Sequence, residues 1–138
     1  MGLAGPATRG QHGVDALSHS SKDGSIDLHS AGTYVDREGK TTHLRSSDFK
    51  LQSTGEKWTS PLTGAEYPIH WKIAIAKLGI ELEARTSLES QEVTSKSKLA
   101  PNYWEGAIVI TGQRNSQPLS GTGYLEMTGY DRPVQFAP

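Results

Sequence analysis

The chain has no cysteine, which excludes disulfide bridges, thiolate metal sites and cysteine nucleophiles. It has no surplus of either charge: 14 Lys and Arg stand against 15 Asp and Glu, a formal net charge of -1. Without a basic excess to neutralise phosphates, nucleic acid is not an expected partner. No apolar run approaches the roughly 18 residues of a membrane helix, so no membrane span is expected. The first residues show neither the charged nor the apolar region of an export signal, and the compartment is left open. His12, His19, His29, His43 and His70 show no metal-ligand spacing, so no metal or cofactor is expected. No Gly-x-Ser-x-Gly elbow occurs. Gly121-Thr122-Gly123 leads into a strand pattern and not a helix, so it is no phosphate loop.

What remains is a β pattern. A length of 138 residues supports one domain with one core, and 34% hydrophobic content with 15 glycines suits strands that keep one face wet. Residues 1–22 are rich in Gly, Ser, Ala and His without period 2 or 3.6, and read as a tail preceding a domain over 23–138. Short strands are expected at 25–29, 32–35, 41–44 and 49–52, with a turn at Asp36-Arg37-Glu38-Gly39. Residues 59–68 read as a loop. From Ile69 to Ala76 the chain alternates, with Ile69, Trp71, Ile73 and Ile75 on one face and His70, Lys72, Ala74 and Ala76 on the other. Pairing Ile75 with Ile80 around Lys77-Leu78-Gly79 sets Lys72 opposite Glu83. A weak strand at 92–94 and two long ones at 103–112 and 120–130 complete the pattern, with 113–119 as their connection. Many short strands without a helical stripe indicate an antiparallel barrel or sandwich.

The last hairpin carries the candidate chemistry. Pairing Gly112 with Leu119 sets Glu105 across from Glu126 and Tyr103 across from Thr128. Opposed carboxylates repel unless the face is wet, a cation neutralises them, or one keeps its proton. A protonated carboxyl in an apolar pocket can donate to an alkene. Composition favours the plainer alternative, in which Trp104, Ile108, Ile110, Leu125 and Met127 form the core face and both glutamates point to solvent. Tyr34 and Asp36 present a possible donor and acceptor at a strand end, although Asp36 suits a turn. Trp58, Trp71 and Trp104 fit core anchors as well as ligand-stacking residues.

Taken in order, Asp23-Gly24-Ser25, Gly32-Thr33-Tyr34-Val35-Asp36, Trp58-Thr59-Ser60-Pro61-Leu62-Thr63-Gly64-Ala65-Glu66-Tyr67-Pro68, Tyr103-Trp104-Glu105-Gly106 and Gly123-Tyr124-Leu125-Glu126-Met127-Thr128-Gly129-Tyr130 resemble the carotenoid 1,2-hydratase/AttH-like family of lipocalin-like proteins. The resemblance implies two packed lipocalin-like β-barrel domains with an apolar ligand, isoprenoid- or polyketide-like, in or between them. Activities associated with it are hydration of isoprenoid ends and cyclisation. This chain corresponds to the C-terminal domain, an all-β antiparallel lipocalin-like barrel. Its expected partners are an apolar small molecule and either the N-terminal domain or a second copy. An active site shared between domains is not expected to be complete in this chain, whose own status as an enzyme is left open. Glu105 and Glu126 are the candidate catalytic carboxyls, and Tyr34, Trp71, Tyr103, Trp104 and Tyr124 the candidate ligand-binding residues. The alternatives are a non-catalytic carrier or structural partner domain, and a truncated remnant.

Overall fold

A computed structural model describes residues 2–4, 13–17, 31–96 and 100–131. The strands of its first half are β1 (Gly2–Ala4), β2 (Gly13–Leu17), β3 (Ala31–Val35), β4 (Thr41–Arg45), β5 (Lys50–Ser53) and β6 (Lys57–Thr59). The second half holds β7 (Glu66–Pro68), β8 (His70–Ile75), β9 (Ile80–Thr86), β10 (Glu92–Val93), β11 (Tyr103–Arg114) and β12 (Gln117–Thr128). One antiparallel sheet runs β4-β3-β2-β1-β12-β11-β9-β8-β5, with β10 added on β11, while β6 and β7 form a small hairpin. The two ends of that path, β4 and β5, are neighbours in the chain, joined through a 3-10 turn at Ser46–Asp48. The sheet therefore curls back toward its own start, and the expected lipocalin-like antiparallel fold is borne out. Lys77 helps hold the curl. Its ammonium donates to the His43 carbonyl at 3.2 Å on β4 and to Asp48 Oδ2 at 2.7 Å in the turn.

Alternation explains which face is the core. Along β9, Ile80, Leu82, Ala84 and Thr86 are buried and Glu81, Glu83 and Arg85 exposed. Trp71, Ile73 and Ile75 bury the same face of β8, and the Ile75–Ile80 and Lys72–Glu83 pairings are as the pattern requires. Lys72 Nζ lies 4.0 Å from Glu83 Oε1 with both side chains more than half exposed, so the pair contributes well under about 1 kcal/mol. The core extends through Tyr34, Leu44, Phe49, Trp104, Ile108, Leu125 and Met127. Asp36 is a turn residue: its Oδ1 accepts from the backbone of Glu38 and Lys40, each at 2.9 Å, and Gly39 takes φ +85°.

Two expectations change. The connection between β11 and β12 is a tight turn at Asn115 and Ser116, both with positive φ, and not the long 113–119 segment. The register is unaffected, since strands that continue inward along one ladder keep their pairing, and Gly112 still faces Leu119. Pro118 is tolerated inside β12 because, among the described residues, it pairs only with Gln113 of β11, while β1 pairs with Tyr124 to Glu126. Within the stretch expected as a tail, β1 pairs with β12 and β2 with β3. These strands are set by main-chain ladders and not by apolar alternation, so no periodic signal announces them. The strand expected at 25–29 lies outside the described residues, as do Asp23-Gly24-Ser25.

Candidate functional site

Strands β11 and β12 pair residue by residue from Tyr103–Thr128 to Arg114–Gln117, and Glu105 stands directly opposite Glu126. Trp104, Leu125 and Met127 between them are buried. Because successive side chains alternate, Tyr103, Glu105, Tyr124 and Glu126 all project from the outer face, away from the core. Glu105 and Tyr103 are half-buried; Glu126 is exposed, and Tyr124 is 46% exposed. Desolvation pushes the Tyr124 phenol up, and the neighbouring Glu105, Tyr103 and Glu126 push it the same way. Two carboxylates and two phenols thus share one patch, the composition of a proton-transfer site and equally of a wet sheet surface.

The patch continues along the face. A trough of about 600 Å³ is lined by Lys50, Lys72, Glu81, Glu83 and Gln113 among others. A second hollow of about 290 Å³ is lined by residues including His70, Glu83, Arg85, Val109 and Thr111. Glu83 and Thr111 line both, so the two hollows adjoin at these side chains. Val109, 45% exposed, lies on β11 between this trough and the carboxylate pair.

The remaining candidates face inward. Trp104 is fully buried and its Nε1–H donates to the Glu89 carbonyl at 2.7 Å, an anchoring contact for the loop before β10. Trp71 is buried beside the small cross-strand partners Ser53 and Ala84, and among the described residues no acceptor meets its Nε1–H. Tyr34 is buried under the Arg114 guanidinium, 5.2 Å above its ring, and its hydroxyl accepts from Arg114 Nη1 at 2.5 Å. It does not pair with Asp36. The structure therefore gathers Tyr103, Glu105, Tyr124 and Glu126 on one face and separates them, across the sheet, from Tyr34, Trp71 and Trp104.

Sequence reasoning missed two polar clusters. Glu92 accepts from the Ser60 hydroxyl, from Thr63 Oγ1 at 2.6 Å and from the Tyr67 hydroxyl at 2.9 Å. Tyr67 also stacks on Trp58 and tilts against Tyr130, closing one end of the core. The partners lie 25 to 32 residues from Glu92, so no local spacing reveals them. The other cluster surrounds His70, which sits on the polar face of β8 as expected and is nevertheless buried. Its Nδ1 lies 3.1 Å from Glu56 Oε1 and its Nε2 3.1 Å from Glu83 Oε2, while Arg85 grips Glu56 at 2.7 and 2.8 Å. Arg85 and then His70 hold the Glu56 carboxyl below the usual carboxylate range. Substituting His70→Phe is expected to cost about 1 kcal/mol in urea unfolding at neutral pH. An unchanged midpoint would show that the ring's polar contacts make no net contribution.

Residues 14–130 match the AttH-like family. Two solved structures share the fold. A protein of Nitrosomonas europaea assigned to AttH is 26% identical with a TM-score of 0.74, over 94% of this chain and 38% of that one. Kievitone hydratase from Nectria haematococca is 21% identical with a TM-score of 0.71, over 95% of this chain and 38% of that one. This chain thus spans less than two fifths of either. No curated protein sequence matches it.

Proposed function

Because the chain belongs to the AttH-like family, we propose that it is a lipocalin-like, C-terminal-type domain that binds an apolar isoprenoid- or polyketide-like ligand on its outer face. In a longer protein this face contributes to acid-assisted addition of water to an alkene. The observation that carries the reading is the Glu105–Glu126 opposition, with Tyr103 and Tyr124 beside it, on a face bearing the exposed apolar side chains of Val109 and Tyr124. Opposed carboxylates shut away from water repel, and the pair is relieved when one carries a proton. That carboxyl gives its proton to one alkene carbon. Water adds to the cationic carbon so formed, and the proton it releases passes to the other carboxylate. A hydratase of the same fold supports the reading, and the lengths of both solved relatives leave room for a second domain to cover the face.

Methyl NMR of this chain with geranylgeraniol distinguishes the faces. Ala107 and Val109 methyls are expected to shift while Ile108 and Leu125 stay in place. Shifts confined to Ile108 and Leu125 would put the ligand inside the barrel and overturn the proposal. In a full-length protein carrying this domain, E105Q combined with E126Q is expected to abolish hydration. Ligand binding without turnover in the unsubstituted protein would favour a carrier.

A further inference from the structure

From the outer-face reading above, we infer that the trough beside Lys50 and Lys72 binds the anionic head group of an elongated ligand whose apolar tail crosses Val109 to reach Glu105 and Glu126. The trough is placed by register. Lys50 pairs with Ala74 on β8, and Lys72 pairs with Gln52 on β5, so the lysines are diagonal neighbours on adjacent strands of the same outward face. Like charges so placed oppose each other unless an anion lies between them. Their surroundings leave them available. The nearest carboxylate to Lys72 is 4.0 Å away on Glu83, which His70 already engages at 3.1 Å. Glu81 accepts from Gln113 Nε2 at 2.8 Å, and among the described residues Lys50 has no ion-pair or hydrogen-bond partner. Glu81 and Glu83 line the β9 wall of the same trough, so the part complementary to a carboxylate is its β5–β8 side, where both ammonium heads can donate beside the Gln52 amide.

Length follows from the strand. Thr111, on the trough wall, and Glu105 are on the same face of β11. At about 3.3 Å per residue they lie about 20 Å apart along the strand. Lys72, level with Thr111 but two strands away at about 4.8 Å each, stands about 22 Å from Glu105, with Lys50 further off. A ligand that holds its head at the lysines and its alkene at the glutamates must span that distance, which suits an extended isoprenoid acid and excludes a short one.

The test compares three probes by calorimetry on the whole chain: geranylgeranoic acid, geranylgeraniol and the short geranic acid. The long acid is expected to bind more tightly than the long alcohol, with added salt weakening only the acid, and the short acid to bind least. Replacing both lysines, K50M with K72M, is expected to weaken the long acid about tenfold and leave the alcohol within about twofold, because only the charged contact is lost. Equal affinity for long acid and alcohol, or equal weakening of both by the double substitution, would overturn the head-group assignment while leaving the outer-face ligand reading intact. Failure of all three probes to bind the unsubstituted chain would remove that reading and the inference together.

Discussion

Glu92→Leu is expected to cost about 4 kcal/mol of folding stability, because it removes the acceptor from buried hydroxyl donors at about 1–3 kcal/mol each. Tyr67 and Ser60 are almost wholly buried, so water cannot replace the carboxylate at either. Nor are the hydroxyls of Ser60 and Thr63 free to turn elsewhere. Each already accepts from backbone N–H groups of the β6–β7 loop, which aims its own proton at Glu92. Glu92→Gln keeps the shape and one acceptor oxygen, and its cost should fall near about 2 kcal/mol. The network is also acid-labile. Burial pushes the Glu92 carboxyl up, but hydrogen bonds from Ser60, Thr63 and Tyr67 more than reverse this, and the group lies below its ordinary value of 4.5. A carboxyl lowered by folding contributes its full stabilisation above the unfolded value and loses it as pH falls through the folded one. Urea midpoints of the native chain should therefore drop below about pH 4.5, more steeply than those of the Gln variant. Parallel acid profiles for the two would show that the hydroxyls do not hold the charge.

How far such features can be read in advance depends on sequence distance. The β8–β9 hairpin is legible because its apolar residues alternate and a glycine follows the turn; Gly79 adopts φ +62° there. The opposition of Glu105 and Glu126 is legible for the same reason, and the ladder survives a different turn because pairing fixes parity and not loop length. Parity also foretells that Trp104 and Glu105 cannot serve one pocket, and composition already favours the tryptophan side as the core. Strands β1 and β2 escape such reading, since three or five residues pair through the backbone without a pattern of their own. Glu92 and His70 escape it as well. A glutamate in a polar loop and a histidine on a polar face look solvated until distant chain segments bring Tyr67 to one and Glu56 to the other.

Glycine substitutions in the β11–β12 hairpin should have opposite outcomes a few residues apart. At Gly112 an added Cβ would lie 2.1 Å from the Glu81 carbonyl oxygen and 2.8 Å from Leu82 Cα, both main-chain atoms of β9. Backbone cannot swing aside as a side chain can, so Gly112→Ala must part the β9–β11 ladder at the floor of the trough. The cost is expected to be about 3 kcal/mol, lowering the melting temperature by about 10 °C. At Gly121 an added Cβ would meet nothing within 4 Å among the described residues, and Gly121→Ala should be neutral or stabilising by about 0.5 kcal/mol through the unfolded chain's lost freedom. The contrast separates close approach from strand propensity, because both positions exchange the same residues on paired strands. It also bears on binding: a parted ladder moves Glu81 and Glu83 relative to Thr111, so Gly112→Ala should weaken geranylgeranoic acid even where the chain remains folded, whereas Gly121→Ala should not. Equal melting temperatures for the two variants would mean that β9 and β11 approach less closely than their register and the Gly112 geometry require.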